Sequence, residues 1–452
     1  MESLATTTAA PLDVHRSNHA RFESERGAAA PAFLRGIRSR GMERFAETGF
    51  PTTRDEDWKY TSVAPIAKVA FRLAPPRPPA LSPSLIESFR LPRGTAYEIV
   101  FVNGAFSPEL SQVPALPKGV HVGRLADAVA KDRAAVEPLL ARLASPESAP
   151  FVALNTAFLE DGAFVRVDRG TVVDKPIHVL HLATSPGEPV VAHPRLLAAF
   201  GERAEATLVE TFAGIPGGVT FTNAVSEIAA GPAAVVKHVK IELELETSFH
   251  VATTQVRLER ATNFSSQSIS IGGAIVRNDA NAVFGGEGAE ATLDGLYLAR
   301  GRQLVDNHTA IDHALPNCAS REVYKGVLDG RARGVFNGKV FVRADAQKTD
   351  GKQTNKNLLL SEHASIDTKP QLEIFANDVK CTHGATIGQI DENSLFYLRS
   401  RGIGRETARS LLIYAFATEI THKVPVEALR VRLEDLVQRW LPEGAAALAD
   451  TP

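Results

Sequence analysis

Short β-branched segments follow one another from about residue 150 to residue 374, and this run limits the folds open to the chain more than any other feature. Typical segments are 164–167, 177–182, 206–212 and 235–245, separated by Gly, Pro or Asn. No apolar pattern of helical period and length interrupts them, so the βαβ alternation of a doubly wound nucleotide-binding fold is missing. A sandwich, a barrel and a right-handed parallel β-helix remain.

Polar residues at alternate positions favour the last of these folds. Gln353, Asn355 and Asn357 share one face of a strand, and stacked coils of a β-helix let such side chains form ladders. Composition alone does not separate the three folds. The sequence therefore predicts a mainly β protein, with the β-helix favoured.

The flanking regions have helical or mixed character. Leu34, Ile37, Gly41 and Phe45 recur at helical spacing and predict an N-terminal helix. A proline-rich stretch follows, in which missing donors and fixed φ angles exclude a helix or a central strand. We divide the chain into an N-terminal helical region at 1–71, a Pro-rich linker at 72–84, a mixed α/β segment at 85–150, the core at 151–385 and a C-terminal helical domain at 386–452.

Two apolar stripes predict a helical hairpin near the C-terminus. Pro425 is expected to start the second helix. The first stripe consists of Ala408, Leu411, Leu412, Ala415, Phe416 and Ile420, and the second of Leu429, Leu433, Leu436, Val437 and Trp440.

Charge and composition exclude several functional classes. The 452 residues include 50 Lys and Arg against 52 Asp and Glu, a formal net charge of −2, so no global charge draws the chain to nucleic acid or anionic lipid. No apolar run approaches the length of a membrane span, and the first 30 residues lack the apolar region of a secretory signal. Only two cysteines are present, which suits a reducing compartment. We expect a cytoplasmic protein.

The candidate metal ligands form two groups. His308, His313 and Cys318 lie close in sequence, but a spacing of five residues brings side chains to one face in neither a helix nor a strand. Cys381 and His383 are two residues apart, so on a strand they point to the same face and offer a thiol and an imidazole. Two ligands do not close a tetrahedral site, and a packed cysteine beside a hydrogen-bonded histidine fits the pattern equally well.

Two further segments invite a functional interpretation. The charged run Arg54-Asp-Glu-Asp-Trp-Lys-Tyr60 is more typical of a solvated helix entry anchored by its aromatic residues. Arg401-Gly-Ile-Gly-Arg405 resembles the hairpin of DNA-binding modules that bind phosphate, although a tight turn between packed helices explains its glycines as well.

Motifs for NTP hydrolysis, serine hydrolysis and local zinc binding are absent from the sequence.

Several longer stretches together resemble the SufD branch of the SufB/SufD family of the SUF iron-sulfur cluster assembly system. They span most of the chain in order, and their joint match is more specific than any single motif. They are Arg54-Asp-Glu-Asp-Trp-Lys-Tyr-Thr-Ser62, Phe101-Val-Asn-Gly-Ala-Phe-Ser-Pro-Glu-Leu110, Ala153-Leu-Asn-Thr-Ala-Phe158, Tyr324-Lys-Gly-Val-Leu-Asp-Gly330, Lys380-Cys-Thr-His-Gly-Ala-Thr386 and Leu395-Phe-Tyr-Leu-Arg-Ser-Arg-Gly-Ile-Gly404.

The resemblance implies a right-handed parallel β-helix core flanked by N-terminal and C-terminal α-helical regions. It also implies a non-catalytic subunit that pairs with a SufB-like scaffold and, through its C-terminal region, with a SufC-like ABC-type ATPase. His383 would be the residue that handles iron or the nascent cluster at the scaffold interface, with Cys381 beside it. No role is implied for Cys318, His308 or His313.

Because the sequence has neither a phosphate-cradling loop nor a closed ligand set, we expect no cofactor to bind tightly to the isolated chain. Iron or an iron-sulfur cluster would be held only transiently in the complex, and the isolated chain could form a homodimer. The apolar stripes would dock the ATPase, and we take Leu411, Phe416, Leu433 and Trp440 to represent them.

Two other functions stay open on the sequence alone. A carbohydrate-active β-helix enzyme, lyase-like, would need a groove lined by carboxylates and basic residues and usually an export signal. A nucleic-acid-binding helical hairpin at 402–408 would bind DNA in a salt-dependent manner.

Overall fold

The structure is a computed structural model and describes residues 11–27 and 30–441. The outermost parts of the predicted terminal regions, 1–10 and 442–452, lie outside the described residues. In the described part of the chain, no helix has both the length and the apolar character that a membrane span requires.

Most of the helical residues of the described chain precede or follow the strand-rich core. The α-helices are α1 Pro11–Phe22, α2 Ala32–Thr48, α3 Ala64–Ala67, α4 Pro83–Ile86, α5 Leu125–Lys131, α6 Arg133–Val136, α7 Pro150–Ala157, α8 Glu392–Ser400, α9 Arg405–Thr421 and α10 Glu427–Trp440. A π-helical turn, Glu23–Gly27, and two 3-10 turns, Glu56–Trp58 and Glu87–Phe89, accompany them.

The strands form the body of the molecule. They are β1 Arg72–Leu73, β2 Tyr97–Val102, β3 Ala105–Phe106, β4 Val120–Arg124, β5 Ala163–Val167, β6 Ile177–Ala183, β7 Val190–Ala192, β8 Arg195–Phe200, β9 Glu205–Gly214, β10 Thr220–Ala230, β11 Val235–Leu243, β12 Phe249–Leu258, β13 Asn263–Ser270, β14 Ile275–Phe284, β15 Glu290–Ala299, β16 Leu304–His313, β17 Ala319–Leu328, β18 Arg333–Val342, β19 Asp350–Leu359, β20 Ser365–Ile374 and β21 Lys380–Gly388.

Successive coils add one strand to each of two facing sheets. Sheet A runs from β4 through β5, β8 and the even-numbered strands to β20, and sheet B runs from β3 through β2, β6 and the odd-numbered strands to β21. From β8 onward the strands pair in parallel, and the register is continuous over as many as ten residue pairs. The predicted fold class, a mainly β chain with a parallel β-helix core between helical regions, is confirmed, with about eight turns.

Alternation along each strand separates an interior from two outer faces. Side chains such as Phe264, Leu293 and Phe336 fill the lumen between the sheets. N-terminal residues, among them Phe45 and Trp58, pack on the outer face of sheet A. Both faces of several coils are buried, and in β6 all seven residues are buried.

Helices α9 and α10 cover the outer face of sheet B. Ile413, Ala417 and Leu433 contact the outward side chains of that sheet, including Val239 and Leu296. Lys325 of β17 is buried under α9, where its ammonium group donates to the Phe416 carbonyl oxygen at 3.1 Å and lies 4.2 Å from the Phe416 ring centroid. The C-terminal hairpin is therefore an integral part of the solenoid wall.

Element boundaries differ from the sequence-based expectation at three places. The proline-rich stretch 72–84 contains strand β1, which pairs with β7, and ends in the one-turn helix α4. Helix α4 tolerates Pro83 because the first turn of a helix needs no N–H donor. The final strand continues to Gly388, beyond residue 385, and α10 begins at Glu427 rather than at Pro425.

A fully buried ion pair ties the N-terminal region to sheet A. Arg195 of β8 contacts Glu227 of β10 at 2.5 Å, and both side chains are inaccessible to solvent. The Glu227 carboxylate also accepts backbone N–H groups of Ala141, Leu143 and Ala144 at 3.0–3.1 Å. The Glu227 carboxylate thus pairs with the Arg195 guanidinium on β8 and accepts hydrogen bonds from three backbone amides in the segment that precedes α7.

We expect Glu227→Gln to destabilise the fold by about 3–5 kcal/mol, because it leaves the Arg195 charge buried without a counter-ion. Thermal and urea unfolding of the purified chain measure the effect. Glu202→Gln is the matched control, since the exposed Arg169–Glu202 pair should contribute less than about 1 kcal/mol. Equal losses in both variants would contradict this account.

Candidate functional site

The C-terminal end of the solenoid is open. Strands β20 and β21 are the last members of sheets A and B, and in the described chain no further strand pairs with either of them. Their residues are half-buried or exposed, whereas the coils before them are largely covered. An unpaired edge with free N–H and C=O groups is a template for pairing with another chain.

Cys381 and His383 lie on β21, at this open end. Cys381 packs against Val340 and Val342, so it points into the lumen. The Cys381 Sγ atom lies 3.4 Å from the position that a Cβ on Gly351 would occupy, on the lumen side of the neighbouring strand. His383 follows two residues later on the same face, and its side chain is exposed.

The exposure of His383 rules out a packed core histidine. Neither of its ring nitrogens has a hydrogen-bond partner in the described chain, and no Cβ contact closes around Gly384 next to it. The site therefore presents an accessible imidazole at the mouth of an otherwise filled lumen.

The Cys381 thiol is not poised as a free nucleophile. Burial raises its pKa; a backbone hydrogen bond at Gly351 opposes this shift and the Asp350 carboxylate adds to it. The thiol form therefore dominates at neutral pH, and metal binding would have to displace the proton.

The donor set is incomplete within this chain. Nowhere in the described residues do three or more His, Cys, Asp or Glu side chains come together in a geometry that could hold a metal ion. An imidazole and a thiol suit iron or an iron-sulfur cluster as ligand types, but two donors leave positions for a second molecule to fill.

Apolar side chains surround the open end. Ile374 and Phe375 at the end of β20, and Ile387 on β21, are exposed, and Phe396 of α8 is 73 % exposed. Single exposed apolar residues are ordinary, but this group borders an unpaired sheet edge. Cys381 and Ile387 are an even number of residues apart on one strand, so the sequence alone places them on the same face. Nothing in the sequence indicates that, in the described chain, no further coil pairs with that strand.

The remaining candidate ligands are dispersed. His313 is buried in the lumen beside Ser320, at 2.9 Å, and burial lowers its pKa to about 4. His308 faces outward from sheet A, where its Nε2 atom is 3.1 Å from Asp306. Cys318 is buried, its thiol 3.4 Å from the Gly286 carbonyl oxygen, and burial raises its pKa. In the structure these three side chains lie apart, in three different surroundings.

The expected ATPase-docking residues are largely turned toward the solenoid. Leu433 is fully buried against sheet B, so it is not accessible to a partner in this structure. Phe416 and Trp440 are half-buried in the same cluster, and Leu411 is also half-buried. The apolar stripes are packing surfaces, as their spacing predicts, but much of their area faces the chain's own sheet.

The Gly-Ile-Gly segment is a turn between α8 and α9. Gly402 has a φ angle of +90°, a conformation that favours glycine, and Gly404 precedes the first turn of α9. This geometry accounts for Gly402 without a bound phosphate, whereas Gly404, with a φ angle of −58°, is in a conformation open to any residue.

A polar row lies in the lumen behind His383. Strand pairing aligns His383 with Gln353 on β19, and Gln353 with Glu322 on β17. Gln353 and Glu322 are buried, and the Gln353 amide Nε2 donates to Glu322 Oε2 at 2.5 Å. Burial raises the pKa of Glu322 to about 7, although hydrogen bonds with Gln353 and Thr309 oppose the shift.

We expect Glu322→Gln to reduce the pH dependence of stability. The pKa of Glu322 is higher in the folded state than in the unfolded state. Its contribution to the free energy of unfolding is therefore complete below the unfolded-state pKa of about 4.3 and is lost as the pH rises through about 7. The free energy of unfolding of the wild type should therefore fall across this window, by about 1.4 kcal/mol for each pH unit between the unfolded and folded pKa values. Urea unfolding at several pH values measures the difference between the two proteins.

The exposed Glu362 provides the control for this measurement. Glu362→Gln should keep the wild-type pH dependence, since the residue lies in a solvent-exposed turn. Parallel curves for the wild type and Glu322→Gln would show that Glu322 is ionised alike in the folded and unfolded states.

Comparisons with known proteins agree with this architecture. The model of the SufBD core domain of the SUF system for iron-sulfur cluster assembly matches residues 181–416, and that of the SufBD N-terminal region matches 15–179. The first match spans sheets A and B from β6 to β21 together with α8 and most of α9.

Three relatives illustrate the extent of the similarity. An iron-sulfur cluster assembly SufBD family protein of Synechocystis is 34% identical over 86% of each chain. The iron-sulfur cluster assembly protein SufD of Escherichia coli is 33% identical over 89% of this chain and 92% of its own. The chloroplastic protein ABCI7 of Arabidopsis thaliana is 28% identical over 90% and 86%. The chain therefore belongs to the SufBD family of iron-sulfur cluster assembly proteins.

Proposed function

We propose that the chain is a non-catalytic subunit of an iron-sulfur cluster assembly scaffold. In this proposal it pairs with a SufB-like scaffold and a SufC-like ATPase in the cytoplasm, and it supports iron acquisition and nascent cluster formation. Similarity to SufD proteins supports the family role. The observation that carries the partner assignment is the open C-terminal end of the solenoid, with an accessible imidazole at its mouth.

The open end supports a strand-pairing partner. A chain that continued sheets A and B would satisfy the free backbone groups of β20 and β21 and would cover Ile374 and Ile387. The matched family model describes a SufBD core domain, so a SufB-like paralogue would bring a core of the same kind to such pairing. In the absence of that partner we expect two copies of this chain to cover each other's open ends.

The incomplete donor set supports a site shared between two chains. His383 would supply one neutral nitrogen, and the partner would supply thiolate or carboxylate ligands. Cys381, which is partly buried and protonated, would be the weaker contributor. Iron or the cluster is cargo in this proposal, so the isolated chain should retain no stoichiometric metal.

The ATPase would dock on the outward faces of the C-terminal helices. Leu433 is excluded by its burial, whereas Val431 on α10 is 59 % exposed. Because α9 and α10 pack firmly on sheet B, movement of a docked ATPase would be transmitted to the solenoid itself. Deleting the helices would uncover sheet B, so point substitutions are the better test.

The alternative functions have less support. A groove of about 830 Å³ does lie between the N-terminal segment and sheet A, and it contains Arg277, Asp279 and Lys339. Its basic groups are already paired: Arg277 with Asp279 at 2.8 Å and Lys339 with Glu373 at 2.7 Å. Arg277 is moreover buried, and Lys339, although partly exposed, has a carboxylate beside it, so neither group is an unpaired base of the kind that a lyase would use. The turn geometry at Gly402 likewise supports no nucleic-acid site.

His383→Ala should suppress cluster formation while leaving the complex and its thermal stability nearly intact, because the side chain is exposed and fills no cavity. The loss should be about 10-fold or more in activation of a cluster-dependent enzyme by the assembled complex. Cys381→Ser should have a smaller effect.

His363→Ala is the matched control, since His363 is an exposed histidine in the turn before β20. It should leave activation unchanged. Normal activation by a stable His383→Ala complex would exclude His383 from the proposed site.

Ile387→Asp and Val431→Asp should separate the two interfaces. A charge at the open end should weaken binding of the SufB-like scaffold by about 2 kcal/mol, roughly 30-fold, and leave ATPase binding intact. Val431→Asp should have the reverse effect. Each variant controls for the other, and titration calorimetry with each purified partner measures both affinities. Loss of both partners from either variant would contradict separate docking surfaces.

A further inference from the structure

Gln353 is the residue that the strand register pairs with His383. Although β19 is the penultimate strand of sheet B, the Gln353 side chain is only 2% exposed. The strand above it is β21, and the residue paired with Gln353 there is His383. The imidazole therefore occupies the next position in the same lumen-facing row.

The amide of Gln353 is held in one orientation. Its Nε2 atom donates to Glu322 Oε2 at 2.5 Å, and a carboxyl oxygen can accept that bond in either protonation state. Gly338 on the opposite wall leaves the necessary room, because a Cβ there would lie 2.2 Å from Gln353 Nε2. With the amino group committed to Glu322, the amide oxygen is the free end of the side chain.

That oxygen is a buried acceptor without a partner in the described chain. Gln353 Oε1 makes no hydrogen bond, and a buried polar atom left unpaired costs about 1–3 kcal/mol. The imidazole of His383 is the neighbouring group in the row that carries an N–H donor.

We propose that Gln353, oriented by Glu322, is a positioning residue for His383: its amide oxygen accepts the N–H of one ring nitrogen and leaves the other nitrogen free for iron or the cluster. This inference rests on the proposed role of His383. Partners behind a ligating histidine commonly fix its tautomer and ring orientation. In the row Glu322–Gln353–His383, the Gln353 amide would fix the tautomer and the ring orientation of His383. It would act from inside the solenoid, on the side of the imidazole that faces away from the partner chain.

The tautomer of His383 tests the pairing without any metal. In the full chain labelled with ¹⁵N-histidine, ring nitrogen signals distinguish the two neutral tautomers, and the His383 signals are those lost in His383→Ala. At about pH 8, where histidine is ordinarily neutral, the wild type should show one tautomer. Gln353→Met, similar in shape but without an acceptor, should show both.

Three further variants complete the experiment. Gln353→Glu keeps an acceptor and should restore the single tautomer. Glu322→Met frees the Gln353 amide to rotate and should also give both tautomers, which covers the case in which Gln353→Met fails to fold. Asn355→Leu removes another buried amide from β19, in the row that ends at Ala385, and should leave the His383 signals unchanged.

Assembly activity links the tautomer to function. Complexes with Gln353→Met should form normally but activate a cluster-dependent enzyme about 10- to 100-fold less well, with recovery in Gln353→Glu. A wild-type tautomer in Gln353→Met, beside an inactive His383→Ala, would overturn this inference alone. Normal activation by His383→Ala would overturn the proposed function and this inference together.

Discussion

Parallel backbone pairing between successive coils is the constraint on which the rest of the structure depends. Each strand from β8 to β19 finds its hydrogen-bond partners in the coil before and the coil after it, so the pairing is satisfied everywhere except at the ends. The N-terminal end is closed by the antiparallel pairs of β2 with β3 and β4 with β5. Within the described chain, the C-terminal end at β20 and β21 leaves edge groups available to a second chain, and this is where Cys381 and His383 lie.

The chain also covers the two outer faces of the solenoid, which again leaves the C-terminal end as the accessible part. The N-terminal elements pack on sheet A, and α9 with α10 pack on sheet B, so most of the lateral surface of the solenoid is occupied by the chain itself. The buried Glu227 carboxylate, which is paired with Arg195 within sheet A, also accepts N–H groups from residues 141–144 and so fixes that segment to the sheet, because separating the two would leave these polar groups unpaired in a dry environment. Within the described residues, the open mouth is therefore where a site with access to the interior of the solenoid can form.

The lumen itself is not uniformly apolar. Behind His383 it contains Gln353 and Glu322, and farther inside it contains Lys240 and Glu244, all of them buried. Burial raises the pKa of Glu244 and lowers the pKa of Lys240, so both shifts favour the neutral forms of these groups. Polar residues of this kind are costly in a core, and their alignment in rows is possible because the register of each coil repeats that of the last. The same repetition puts Gln353 directly behind His383.

The sequence by itself determined that the chain is mainly β, because β-branched runs without intervening helical period admit few architectures, and its family resemblance implied the parallel β-helix among them. The sequence likewise placed Cys381 and His383 on one face, because side chains alternate between the two faces of a strand. It also identified the apolar stripes of α9 and α10, since their helical spacing is local information. Only the tertiary structure decided that Leu433 faces the chain's own sheet, that no coil follows β21 in the described chain, and that Gln353 and Glu322 stand behind His383. The row behind His383 depends on a register that joins residues some thirty to sixty positions apart, and the packing of Leu433 on Leu296 joins residues more than a hundred positions apart, so no local pattern specifies either.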